Sequence, residues 1–227
     1  MTRPEILAEL DALDTITRRL RRECPWDREQ DERSIVPHTV EEAYELADAA
    51  QRGDDAKLLD ELGDVLFQVH FLSLLMEERG AGDLAAVAEH CRQKLIRRHP
   101  HVFGEVEVEN AADVLANWDE IKRAETGREP GVFGEVPENL PGPLYARKLQ
   151  RRAASAGRHE AAEDPRDALA RLDTTDAAAR AAALGDALFA LVDLARREHI
   201  DPELALRAAA DRFRARVESS PDTTRSP

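Results

Sequence analysis

Two short acidic patterns, Glu41-Glu42-x-x-Glu45 and Glu61-x-x-Asp64, flank a Gly53-Asp54 pair. Glycine followed by aspartate is a turn signal, and residues three or four apart share one helix face. Eight residues lead from Glu45 to Gly53 and seven from Asp54 to Glu61, each rising about 1.5 Å along a helix. The spacing therefore predicts an antiparallel helix hairpin in which Glu45 stands level with Glu61 and Glu42 faces Asp64. Four carboxylates converging between two helices repel one another unless a cation lies among them. A hard divalent ion with oxygen ligands meets that need: magnesium first, with manganese as the alternative.

Carboxylates three apart are common in a chain with 46 Asp and Glu, and either pair alone reads most simply as a solvated helix face. The segment after Asp64 changes the balance. Residues 65–76 are apolar nearly all round, the pattern of a helix buried within a bundle. Acids on the adjoining turns then lie near the core, where an unpaired carboxylate is costly. Lys57 extends the same face one turn earlier. Thr39 with Glu42 three residues on also fits a capping box, which gives Glu42 a competing role.

The whole chain reads as all-α. An amphipathic first helix runs from Pro4 to about residue 23 with Leu7, Leu10, Leu13, Ile16 and Leu20 at helical spacing, and Pro25 stops it. Further helices are expected at 55–79, 83–98, 111–126, 144–155, 175–198 and 202–217, the last opening on Asp201 and Pro202. Aromatic content is 4%, and strand-like alternation is confined to 106–108. The Gly- and Pro-rich stretch 126–143 is a linker candidate, and 219–227 is expected to be a disordered tail. The organisation expected is 1–130, a linker at 131–143, a smaller helical part at 144–218, and the tail.

A formal net charge of −14 argues against a polymeric nucleic acid as partner. It does not exclude a nucleotide, because bound metal reverses the sign of an acidic site locally. The apolar runs are too short or too interrupted to span a bilayer. The start lacks an apolar signal region, and two cysteines, Cys24 and Cys91, provide no disulfide framework. A cytoplasmic location is expected. No Gly-x-x-x-x-Gly-Lys-Ser/Thr loop is present, so phosphate binding would rely on metal and basic side chains.

In five segments, CPWD (24–27), EEAYEL (41–46), ELGDVLFQV (61–69), KLIRRHPHVF (94–103) and NWDEIK (117–122), the chain resembles the MazG-type nucleoside triphosphate pyrophosphohydrolases. These belong to the all-α NTP pyrophosphatase superfamily. The motifs occur in order over roughly residues 5–150. The resemblance implies hydrolysis of a (deoxy)nucleoside triphosphate to the monophosphate and pyrophosphate, in nucleotide-pool house-cleaning. It implies magnesium held by Glu42, Glu45, Glu61 and Asp64, and nucleotide contacts by Lys57, Lys94, Arg98, Trp118 and Lys122. Glu41 or Glu45, if not fully engaged with metal, is the candidate to orient or deprotonate the attacking water. Trp26 and Trp118 could stack on a base or plug the core, the commoner fate of a tryptophan, and His99 and His101 read as loop residues around Pro100. A homodimer is expected, because Leu58, Leu62, Leu66, Val69 and Leu72 form an apolar face too wide for one short partner helix; the alternative is that the two halves of the chain pack on one another.

Gly63-Asp64-Val65-Leu66-Phe67 recurs as Gly185-Asp186-Ala187-Leu188-Phe189. Carried through without gaps, the offset sets Glu163 on Glu41, Asp164 on Glu42, Asp167 on Glu45, Ala183 on Glu61 and Ala179 on Lys57. The chain thus reads as a helical bundle of two MazG-like repeats, the second degenerate, with activity in the first. Glu163-Asp164-Pro165 reads equally well as a plain helix start. The competing functional class is a non-catalytic, metal-stabilised nucleotide sensor or assembly scaffold, which magnesium-dependent turnover would exclude.

Overall fold

The computed structural model describes residues 2–110, 114, 117, 118, 121, 122, 125, 131–134, 136–158 and 163–220. Its described elements are all helical: α1 (Arg3–Glu23), α2 (Pro25–Glu29), α3 (Glu32–Arg52), α4 (Asp55–Glu78), α5 (Leu84–Arg98), α6 (Pro100–Phe103), α7 (Gly142–Ser155), α8 (Pro165–Ala170), α9 (Ala177–Arg197) and α10 (Pro202–Ser219). No strand occurs among the described residues, including the alternating stretch 106–108. The chain divides into two compact units, Met1–Val106 and Glu107–Pro227.

The first unit is organised on the α3–α4 hairpin. Asp31 caps α3, its carboxylate accepting from the backbone N–H of Arg33 and Ser34 at 2.9 Å each, and Ser34 Oγ accepts from the Asp31 N–H. That reciprocal pair satisfies donors at the helix start that otherwise lack partners. The capping box expected at Thr39 is therefore corrected. Thr39 lies well inside α3, its hydroxyl 3.3 Å from Gln68 Oε1 on α4, and Glu42 has no capping role. Pro37 is carried within α3, at the cost of one hydrogen bond to the carbonyl four residues back.

Gly53 ends α3 in the left-handed conformation, φ 66°, which glycine adopts without a Cβ penalty. Asp54 then caps α4 by accepting from the Lys57 N–H at 3.0 Å. The two-residue turn read from the sequence is thus made by a helix stop and a helix start in succession.

Ile35 on α3 packs with Phe71 and Leu75 on α4, all at most 5% exposed, with Phe67 and Leu72 against them. α1 docks on α4 through charged side chains: Arg18 reaches Glu77 with two hydrogen bonds, at 2.6 and 3.0 Å. Arg21 binds Glu78 at 2.8 and 2.9 Å, donates to the carbonyls of Asp27 and Gln30, and lays its guanidinium 5.8 Å from the Phe71 ring centroid. α5 packs on α4, and α6 follows α5. Pro25 does not merely stop α1, since it opens α2, and His101 lies in α6 rather than a loop.

In the second unit α9 packs on α8 and α7, and α10 on α7. Ala183, Ala187 and Ala190, each at most 3% exposed, line the buried side of α9. Asp164 caps the short α8, accepting from the Arg166 N–H at 2.8 Å, and Asp201 caps α10. The helix expected over 111–126 falls largely outside the described residues, as do residues 221–227 of the expected tail.

Candidate functional site

The hairpin turn fixes the register of α3 against α4, and with it the acids. Glu42, Glu45 and Glu61 each offer a carboxylate oxygen within 4.8 Å of the others. Burial is graded across the three: Glu45 is exposed, Glu42 intermediate, and Glu61 wholly buried at 0%. Glu61 Oε1 is paired with Lys57 Nζ, one turn earlier on α4, which also reaches Asp60 Oδ2 at 3.2 Å. Glu61 Oε2 is buried and has no hydrogen-bond donor among the described residues. A fully buried carboxylate with one oxygen unserved is expensive.

Burial pushes the Glu42 carboxyl up from its ordinary value, and the charges of Asp64, Glu45, Glu61 and Glu41 push it further, in that order. Asp64 thus acts on Glu42 across the hairpin, although it is exposed and outside the three-carboxylate group. Lys57 is held more firmly protonated by its contacts with Glu61 and Asp60. The donor set is all oxygen, crowded, negative and partly dry, and it contains an unserved buried oxygen. These features fit a hard divalent cation.

α4 presents an open hollow of about 680 Å³, lined by Lys57, Asp60, Gly63 and Asp64 among others; Glu42, Glu45 and Glu61 are not in its lining, and Lys57 links it to them through Glu61. Asp60 is a residue of the site that the acidic patterns in the sequence do not include. The signal that could have found it is its place three residues after Lys57 on one helix face. Glu41 stands outside the cluster, exposed, with Oε2 3.9 Å from His38 Nδ1.

Lys94 and Arg98 lie one turn apart near the end of α5, both half-buried, on the helix that packs against α4. His99 Nδ1 is 2.6 Å from the Leu95 carbonyl oxygen. Trp118 and Lys122 belong to the second unit, where Lys122 Nζ sits 3.8 Å from the Trp118 ring centroid, a cation–π contact. Trp26 is half exposed, with its ring edge-on to His38 at 5.9 Å between centroids, and so does not plug the core.

The profile of the MazG nucleotide pyrophosphohydrolase domain matches residues 30–103, which span α3, α4, α5 and α6. A nucleoside triphosphate pyrophosphohydrolase of Escherichia coli K12 is 38% identical over 92% of this chain and 85% of its own length. A nucleoside triphosphate pyrophosphohydrolase/pyrophosphatase MazG of Thermotoga maritima is 35% identical over 84% of this chain and 76% of its own. A solved mazG-related protein from Thermotoga maritima aligns over 49% of this chain and 97% of that one, at 25% identity and a TM-score of 0.44. The acidic hairpin lies inside the matched segment, identity extends across nearly the whole chain, and the chain accordingly belongs to the MazG family of nucleotide pyrophosphohydrolases.

Proposed function

We propose that this chain hydrolyses (deoxy)nucleoside triphosphates to the monophosphate and pyrophosphate, with magnesium held by Glu42, Glu45, Glu61 and Asp64. The observation that carries the proposal is the wholly buried Glu61, set between two further carboxylates and a lysine in a family of nucleotide pyrophosphohydrolases. Bound there, magnesium would neutralise triphosphate charge and lower the pKa of a water. Phosphoryl transfer otherwise asks for position and charge, which this chain's side chains can provide.

Glu61 is fixed by burial and serves as the rigid ligand. Glu45 at the rim, or the exposed Glu41, orients or deprotonates the attacking water. Lys57 is half exposed on a flexible stem and can turn from Asp60 toward a phosphate in the adjoining hollow. Lys94 and Arg98 clamp the phosphates. Both described cysteines are free, and no described helix is long and apolar enough to cross a membrane. A cytoplasmic role in clearing unwanted nucleotides from the pool is consistent with both facts.

We also propose a homodimer. Leu59, Leu62, Leu66 and Val69 follow one another along α4, between 37% and 75% exposed. Of the face expected from sequence, Leu58 and Leu72 are partly covered, and Leu59 joins the exposed stripe. Burying such a stripe against its symmetry mate is the common solution for a helix of this kind.

A panel of nucleoside triphosphates with product identification tests the activity. Monophosphate and pyrophosphate formed only with magnesium or manganese is the expected result. Orthophosphate release, or absence of turnover, contradicts the assignment and favours the nucleotide-sensor class.

A further inference from the structure

The second unit resolves a similar electrostatic problem by other means. The offset that sets Gly185-Asp186-Ala187-Leu188-Phe189 on Gly63-Asp64-Val65-Leu66-Phe67 sets Ala183 on Glu61. It also sets α8 against α9 where α3 lies against α4. Burial agrees at the critical position, Ala183 being 3% exposed and Glu61 0%. The one carboxylate that a dry environment makes costly is therefore replaced by a methyl group. Four acids at corresponding positions remain: Glu163 for Glu41, Asp164 for Glu42, Asp167 for Glu45 and Asp186 for Asp64. Asp164 caps α8, and Glu163 and Asp186 meet one guanidinium. Arg171 Nη2 lies 2.9 Å from Asp186 Oδ2, and its Nη1 is paired with Glu163 Oε1. The offset sets Arg171 on Ala49, a buried residue of α3.

We propose that Arg171 is a built-in replacement cation, which makes the second hairpin complete without a divalent ion. A planar, permanently charged fork can serve two carboxylates at once, whereas a lysine ammonium is a mobile point charge. Lys57 in the first unit is such a mobile charge, and Ala179 stands at its place in the second. The cation position of the first unit is open to exchange, and that of the second is occupied by the chain itself. Glu163 and Asp186 are 36% and 61% exposed, so the bridge is sensitive to salt. The role of Arg171 rests on the second unit's own geometry and holds whichever metal or substrate the first unit takes.

Thermal unfolding of the full chain at low ionic strength tests it, using Arg171→Gln, Arg171→Lys, Asp186→Asn and the double variant Arg171→Gln/Asp186→Asn. Arg171→Gln should lower Tm by about 2 °C, Arg171→Lys should recover part of that, and the double variant should lose less than the sum of the singles. The loss should shrink in about 0.5 M salt. Arg171→Gln should leave magnesium-dependent turnover within about twofold, since no catalytic group is touched. Unchanged Tm in Arg171→Gln, or strictly additive losses, overturns the proposal. So does Mn²⁺ bound to the second unit, read by paramagnetic broadening in a chain carrying Glu45→Gln and Glu61→Gln, while Arg171 is in place.

Discussion

Glu61 concentrates the cost and the use of the site in one side chain. Its carboxylate is removed from water, contacts one lysine, and faces two further acids, so the metal-free hairpin carries unrelieved repulsion. Glu61→Gln keeps the shape and removes the charge. Its metal-free Tm should equal or exceed that of the parent, while the Tm rise on adding magnesium, set by ligand binding to the native state, should disappear. Calorimetric scans with and without magnesium check both; a magnesium-induced rise of parental size would remove Glu61 from the ligand set. Lys57→Ala should act in the opposite sense, lowering the metal-free Tm because Glu61 then loses its contact with the lysine ammonium, with much of the loss restored by magnesium.

The hairpin keeps these residues in register, and its core is small: Ile35, Phe71 and Leu75 carry most of it. Phe71→Ala should cost about 3–5 kcal/mol, and chemical denaturation will show whether metal affinity falls with it. The α1–α4 contact gives a pH dependence of definite sign. Arg21 holds the Glu78 carboxyl below its ordinary value through its hydrogen bonds, so that bond's contribution is full above the unfolded value and is lost as pH falls through the folded one. Tm should decline on acidification below about 4.5, the ordinary glutamate value; Glu78→Gln should flatten that decline, and an acid limb of parental steepness would show that the pair contributes nothing.

The hairpin was legible because Gly53 and Asp54 are strong local punctuation and act within four residues of their own backbone. The true start of α3 was not. Asp31 is answered by Ser34 rather than the glutamate that usually marks a capping box. The convergence of Glu42, Glu45 and Glu61 followed from helix periodicity together with the place of the Gly53-Asp54 turn. The complete burial of Glu61 and the part played by Asp60 depend on side-chain packing across helices, which spacing does not encode. α2, α6 and α8 are four to six residues long, too short to show a period.

At the scale of the molecule, the acids and lysine of the candidate site sit in one unit, and the Arg171 bridge to Glu163 and Asp186 sits in the other. The exposed α4 stripe adds a prediction about assembly. Light scattering at micromolar concentration should give twice the 25.3 kDa chain mass, and Leu62→Glu should shift it to the monomer; a parent that is monomeric and fully active would rule out the dimer.

The central claim, that one hairpin of the two performs the chemistry, is tested most directly by comparing two single substitutions in the full-length chain under saturating magnesium and nucleoside triphosphate. Asp64→Asn should reduce pyrophosphate release by at least about a hundredfold, because Asp64 adds its charge to the cluster around Glu42. Asp186→Asn should leave the rate within about threefold, because Asp186 is engaged by Arg171 and is not among the proposed magnesium ligands. Equal losses at the two positions would contradict the account.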